Sequence, residues 1–108
     1  MFTVIDPHGH RITLTPECWM NHICVVHTEM RSLLEQVRLT VTDPDHIYIS
    51  KTSHESFLYF RRYVDPKIKC QYILVAVHHR PQSRSGYVQS VYPVKSLCKG
   101  GTLEWTRL

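Results

Sequence analysis

The stretch from Thr15 to Ile47, TPECWMNHICVVHTEMRSLLEQVRLTVTDPDHI, decides how the rest of the chain is read. Thr15-Pro16-Glu17 is a helix start. It offers a hydroxyl for the N-cap, a proline suited to the first helical position, and a carboxylate beside the positive end of the dipole. Trp19, Ile23 and Val26 then recur at helical spacing, with His22 beside that stripe, and His27 closes the segment. Thr28 opens a second helix in which Met30, Leu33, Leu34 and Val37 share a face. Asp43-Pro44-Asp45 ends it, because a proline ring biases the preceding residue away from helical dihedrals. Two helices with apolar faces need a sheet to lie on.

Outward from this stretch, the remaining chain supplies strands. Residues 2–5 and 10–14 flank the turn composition Asp6-Pro7-His8-Gly9 and predict a hairpin leading into the helices. Ile12 and Leu14 point one way, while His8 and His10 are expected to face solvent. On the other side, His46–Ser50 predicts a first strand and Ser56–Val64 a second. Alternation splits the second strand into two sets. Leu58, Phe60, Arg62 and Val64 suit packing on the helices, and Phe57, Tyr59, Arg61 and Tyr63 suit an open aromatic and cationic surface. Lys69–His79 is the most apolar run and is expected to be the central strand. Tyr87–Tyr92 follows, ended by Pro93, and Leu103–Leu108 adds a short edge. Short connections favour pairing of successive strands. The expected architecture is α+β: two N-terminal helices packed on a roughly four-stranded antiparallel sheet, one domain spanning 1–108.

With 108 residues, 43% hydrophobic and 20% charged, the chain has ordinary globular proportions and no bias toward disorder. Residues 1–50 carry three basic and six acidic side chains, whereas residues 51–108 carry ten basic and three acidic. A polyanion is therefore expected on the strand half, where neutralised phosphates supply affinity. DNA binding through a basic recognition helix is disfavoured, because the helices are neutral to acidic. Met1–Asp6 has no basic region followed by an apolar run, and no segment is long and apolar enough to span a membrane. A cytoplasmic protein without a membrane partner is expected. Cys18, Cys24, Cys70 and Cys98 form no CxxC pair and are expected to stay reduced. Cys18 and His22, four apart, have chelating spacing, but no second close pair completes a metal site.

Several landmarks then fall in a familiar order. Trp19-x-x-His22-Ile23, His27-Thr28-Glu29-Met30 and Asp43-Pro44-Asp45-x-Ile47 are followed by Tyr59-Phe60-Arg61-Arg62, an aliphatic strand, Ser90-Val91-Tyr92, Lys99-Gly100 and Trp105. From about Gly9 to Trp105 the chain resembles the phage-associated branch of the barnase–EndoU–colicin–RelE-like (BECR-fold) nucleases. It departs from that pattern where Val26-His27-Thr28-Glu29 replaces Arg-His-Pro-Glu and where Ser90-Val91-Tyr92 replaces Thr-Ala-Tyr. The resemblance implies a metal-independent ribonuclease of toxin or mobile-element type. It also implies helices backing an RNA-binding sheet and, with the basic charge, an acidic antitoxin or immunity partner.

Such cleavage uses the RNA's own 2′-OH as nucleophile and needs no cofactor. It requires a proton acceptor, a proton donor and stabilisation of charge on the phosphate. His22, His27 and His78 are the acid–base candidates and Arg61 the preferred phosphate-holding residue. Ser90 and Tyr92 enter through the resemblance, although alternation groups them with Val88. Tyr59 and Tyr63 beside Arg61 suit stacking of unpaired bases, and Lys51, Lys69, Arg80, Arg84, Lys95 and Lys99 suit phosphate contacts. The alternative is a catalytically inactive RNA- or protein-binding domain on the same scaffold.

Overall fold

The computed structural model describes residues 1–26, 28–51, 55–64, 71–97 and 101–107, with only the backbone of Glu29 and Pro81. Phe2–Ile5 (β1) and Arg11–Leu14 (β2) pair antiparallel across the Asp6–His10 turn, as the turn composition predicts. Gly9 takes a positive φ of 83° there, which a residue without Cβ adopts at no steric cost. Helical backbone follows in pieces. Thr15 caps Pro16–Cys18 (α1), its hydroxyl accepting from the Cys18 N–H at 3.2 Å. Trp19–Ile23 is a π-helical turn, and Cys24–Val26 (α2) completes the run. Thr28–Ser32 is a 3-10 turn and Leu34–Thr42 (α3) the longest helix. Asp43, before Pro44, leaves the helical region at φ −142°, ψ 60°.

Strands His46–Ile49 (β3), Ser56–Arg62 (β4), Tyr72–Arg80 (β5) and Ser85–Val94 (β6) form an antiparallel meander. Thr102–Thr106 (β7) pairs with β3, and β2 runs parallel to β6. Among the described residues the result is a seven-stranded mixed sheet, ordered β1-β2-β6-β5-β4-β3-β7 with β5 at its centre. This corrects the expected two helices on a four-stranded antiparallel sheet. The N-terminal hairpin, expected only to lead into the helices, joins the sheet because the edge of β6 accepts β2 over Ser85–Tyr87. The two helices become short pieces because Trp19–Ile23 winds wide, with the Cys24 N–H reaching back to the Trp19 carbonyl. That wide turn shifts the phase, so Trp19, Ile23 and Cys24 are buried while Val26, expected on the same stripe, is exposed.

The helical pieces bury Trp19, Ile23, Cys24, Met30, Leu33, Val37 and Val41 against one face of the sheet. That face carries Ile12, Leu14, Ile47, Tyr59, Ile73, Val75, Val77, Val88 and Val91. In β4 the expected faces are therefore exchanged: Tyr59 is fully buried under the helices, with Phe57 and Tyr63 packed beside it. Phe60 lies on the outer face, covered edge-on by Tyr48 and Tyr72 at 5.5 and 6.4 Å between ring centroids. Alternation separates two faces but carries no label for which one the helices will cover.

Pro93 does not end β6, since the strand continues to Val94. Val94 turns its carbonyl toward β5, accepting from Gln71, so the donor-less Pro93 points to the other edge. Gly86 is required by crowding. A Cβ there would stand 2.7 Å from the His78 carbonyl oxygen and 3.0 Å from Val77 Cγ1. Gly86→Ala is expected to cost about 2–3 kcal/mol, read as a lower urea midpoint at unchanged slope.

Candidate nucleic-acid interface

The ladder partners define what the outer face displays. His78 stands opposite Tyr87, Ala76 opposite Ser90 and Leu74 opposite Tyr92. The register slips between Ala76 and Val77, so that Val77 faces Val88 while Ala76 faces Ser90 and Gln89 is the extra residue. This bulge moves Ser90 and Tyr92 off the face of Val88, where strict alternation would have left them. Tyr87 and Tyr92 are both more than a third exposed, and Ser90 is buried.

Three clefts adjoin along this side of the sheet. One, of about 650 Å³, lies at the end of β5 between Glu55, His78, His79, Arg80, Gln82 and Ser83. The next, about 510 Å³, is lined by Arg11, Thr13, Thr15, Arg80, Ser85, Gly86 and Tyr87. The third, about 430 Å³, runs from Tyr87, Val88 and Gln89 to Thr15, Cys18 and His22. Arg80 is common to the first two and Tyr87 to the last two, so the three form one continuous track. Tyr87 is its centre: the Arg80 guanidinium carbon sits 5.3 Å from the ring centroid, and the His78 ring 5.2 Å from it. Nε2 of His78 is 3.6 Å from a Glu55 carboxylate oxygen. His22, exposed on the π-helical turn, stands at the far end. The Cys18 thiol donates to the Val88 carbonyl at 3.3 Å and holds α1 along the edge of β6; burial pushes this thiol's pKa up and keeps it protonated.

The expected site residues divide between two faces. His22, His78, Ser90, Tyr92 and Arg80 come to the outer face or its rim. Arg61 is on the helix-facing side, donating to the Asp43 carbonyl at 3.0 Å and 3.6 Å from the Asp43 carboxylate. Its guanidinium thus closes the C-terminus of α3. Tyr59, expected to stack on bases, is inaccessible, and Tyr63 is packed against the core. Arg84, at φ 52°, donates to the His8 carbonyl at 3.1 Å and braces the β1–β2 turn. Lys51 and Lys95 are exposed. His27, Lys69 and Lys99 lie outside the described residues.

One polar group of the fold was not anticipated. Asp6, in the predicted turn, is buried. Its Oδ1 accepts the N–H groups of His8 and His10 at 3.0 and 2.8 Å, and its Oδ2 accepts the Tyr59 hydroxyl at 2.5 Å. Tyr59 is also 3.0 Å from His79 Nε2, and His10 Nδ1 is 3.3 Å from Asp6 Oδ2. Burial, with the neighbouring His10, pushes the His79 pKa down to about 4; Asp6 opposes this only in part. Burial and the Asp6 charge push the Tyr59 phenol well up. The sequence signal was the pairing of Asp6-x-x-x-His10 with His79 at the end of a buried strand, on the face that His78 does not share.

Comparison of the chain with family models, with curated proteins and with solved structures finds no match in any of the three. The fold and the track define a class by architecture: a helix-backed mixed sheet with an aromatic and cationic outer face. Among the described residues no helix is long and apolar enough to cross a membrane.

Proposed function

We propose that the chain is a metal-independent endoribonuclease that lays RNA along the outer face of the sheet, centred on Tyr87. The single observation that carries this reading is the continuous track with an imidazole at each end, His22 and His78, and Arg80 and Tyr87 between them. An exposed tyrosine beside a guanidinium offers a base a stacking surface and its phosphate a fixed cation. His78, next to the Glu55 carboxylate, is suited to take the 2′-OH proton, while the leaving 5′-oxygen takes its proton from solvent and His22, at the far end of the track, contacts the strand. Arg80 and Arg11 supply charge to the phosphate as it gains it. The resemblance to BECR-fold nucleases supports the same chemistry, with Ser90 and Tyr92 on the same face. The toxin role, an acidic antitoxin and a cytoplasmic setting belong to this proposal, and the free thiols of Cys18 and Cys24 accord with the last.

One observation favours a second reading. Arg61, the arginine that the resemblance assigns to phosphate, is engaged with Asp43, so the scaffold supports an RNA-binding domain that does not cut. The assay separates the two. The purified chain is incubated with mixed-sequence RNA and the matching DNA in EDTA, and product ends are examined. RNA cleavage leaving a 2′,3′-cyclic phosphate, with DNA intact, supports the nuclease. Retardation of RNA without cleavage supports the binder, and neither outcome removes both. In either case Tyr87→Ala is expected to weaken RNA affinity about tenfold, the size of one lost stacking contact.

A further inference from the structure

We propose that Asp6, His10 and His79 form a binding site for a divalent transition metal of the zinc type, which ties the β1–β2 turn to the end of β5. One ligand atom from each of the three residues lies within 4.8 Å of the other two. A tetrahedral ion with bonds of about 2.0–2.1 Å holds its ligand atoms about 3.3–3.4 Å apart. The Asp6 Oδ2 to His10 Nδ1 separation is already 3.3 Å. The remaining edges need to close by at most about 1.5 Å, within reach of small side-chain rotations.

The donor set decides the class of ion. Two imidazoles and one carboxylate are the ligands of zinc and its first-row neighbours, whereas magnesium and calcium take oxygen throughout. Three protein ligands leave a fourth position to solvent. On the same turn, Nε2 of His8 is buried with no hydrogen-bond partner among the described residues, its ring 5.9 Å from that of His10. A buried nitrogen of this kind needs a partner, and a metal-bound water can be one.

The surroundings hold the ligands in place. Asp6 is fixed through its other oxygen by two backbone N–H groups, while Oδ2 faces His10 Nδ1 and accepts the Tyr59 hydroxyl, a bond that the ion would replace. The Tyr59 hydroxyl touches both Asp6 and His79, and the Phe57 ring stacks on the His79 ring at 4.0 Å. Orienting contacts of this sort commonly change metal affinity by about 10- to 100-fold. The site lies on the helix-facing side of the sheet, apart from the track around Tyr87, and its role is structural: the ion joins the β1–β2 turn to the last residues of β5.

The test uses the full chain, stripped with EDTA and exchanged into chelator-free buffer. It is titrated with zinc chloride by calorimetry and with cobalt(II) by visible absorption. Expected are one equivalent bound at about 1 μM or tighter, a cobalt spectrum without thiolate charge-transfer bands, and a rise in Tm with zinc that EDTA reverses. His10 is the most accessible of the three ligands, so His10→Ala is the variant most apt to fold, and it should lose at least tenfold in affinity. Asp6→Asn should lose affinity as well. Cys18→Ser tests the rival pair, Cys18 and His22, and should bind as the native chain does. Binding weaker than about 100 μM, binding unchanged in His10→Ala, or binding lost in Cys18→Ser would each overturn the proposal.

Discussion

Tyr59→Ala should lower the free energy of unfolding by about 4 kcal/mol. That would take most of the stability of an ordinary small domain. The ring is fully buried at the centre of the helix-facing side, in register with Ile47 on one neighbouring strand and Val75 on the other. Removing it opens a cavity between β4 and the helices. It also takes the hydroxyl from Asp6 and His79. Tyr59→Phe isolates that second loss: the ring stays, and two buried polar atoms give up a partner at a cost of about 1–3 kcal/mol. Urea unfolding of the two variants separates packing from hydrogen bonding. Tyr92→Ala, on a ring more than a third exposed, is expected to stay within about 1 kcal/mol of the native chain. A loss below about 1.5 kcal/mol for Tyr59→Ala would mean that β4 presents its other face to the helices.

The second large effect concerns the proposed chemistry. His78→Ala should reduce the rate of RNA cleavage about 10²- to 10⁴-fold, the range expected for a lost general base or acid. RNA affinity should stay within about threefold of the native value, because Arg80 and Tyr87 remain to hold the strand. His22→Ala, at the far end of the track, should change the rate by less than His78→Ala does. Glu55→Gln, which leaves the imidazole and removes the carboxylate 3.6 Å from it, should give a smaller loss of rate. Single-turnover rates at saturating enzyme keep binding and chemistry apart. If His78→Ala keeps more than a tenth of the native rate, the acid–base assignment fails even if RNA is still cut.

How much of this was legible in the chain depends on the range of the interaction concerned. The Thr15 cap, Pro16 at the first helical position, the stop at Asp43-Pro44 and the hairpin around Gly9 are local devices, each complete within a few residues. The central position of β5 follows from a run apolar on both sides. The candidate site was legible in part. His22, His78, Arg80, Ser90 and Tyr92 do come to the outer face or its rim. Arg61, Tyr59 and Tyr63 do not, because the side of a strand that meets the helices is settled by partners elsewhere in the chain. For Tyr59 those partners are Asp6 and His79, 53 and 20 residues away.

The sequence by itself determined the approximate positions and order of the strands, the start and stop of the helical stretch and the basic half of the molecule, since capping, turn chemistry, alternation and charge act between near neighbours or by simple addition. Tertiary structure alone decided the number of strands in the sheet, the exchange of faces in β4 and the bulge that carries Ser90 and Tyr92 outward. It also gathered Asp6, His10, Tyr59 and His79 into one buried cluster. Each of these is a choice between alternatives that look the same locally, and the free energy that separates them comes from contacts made only when distant segments meet.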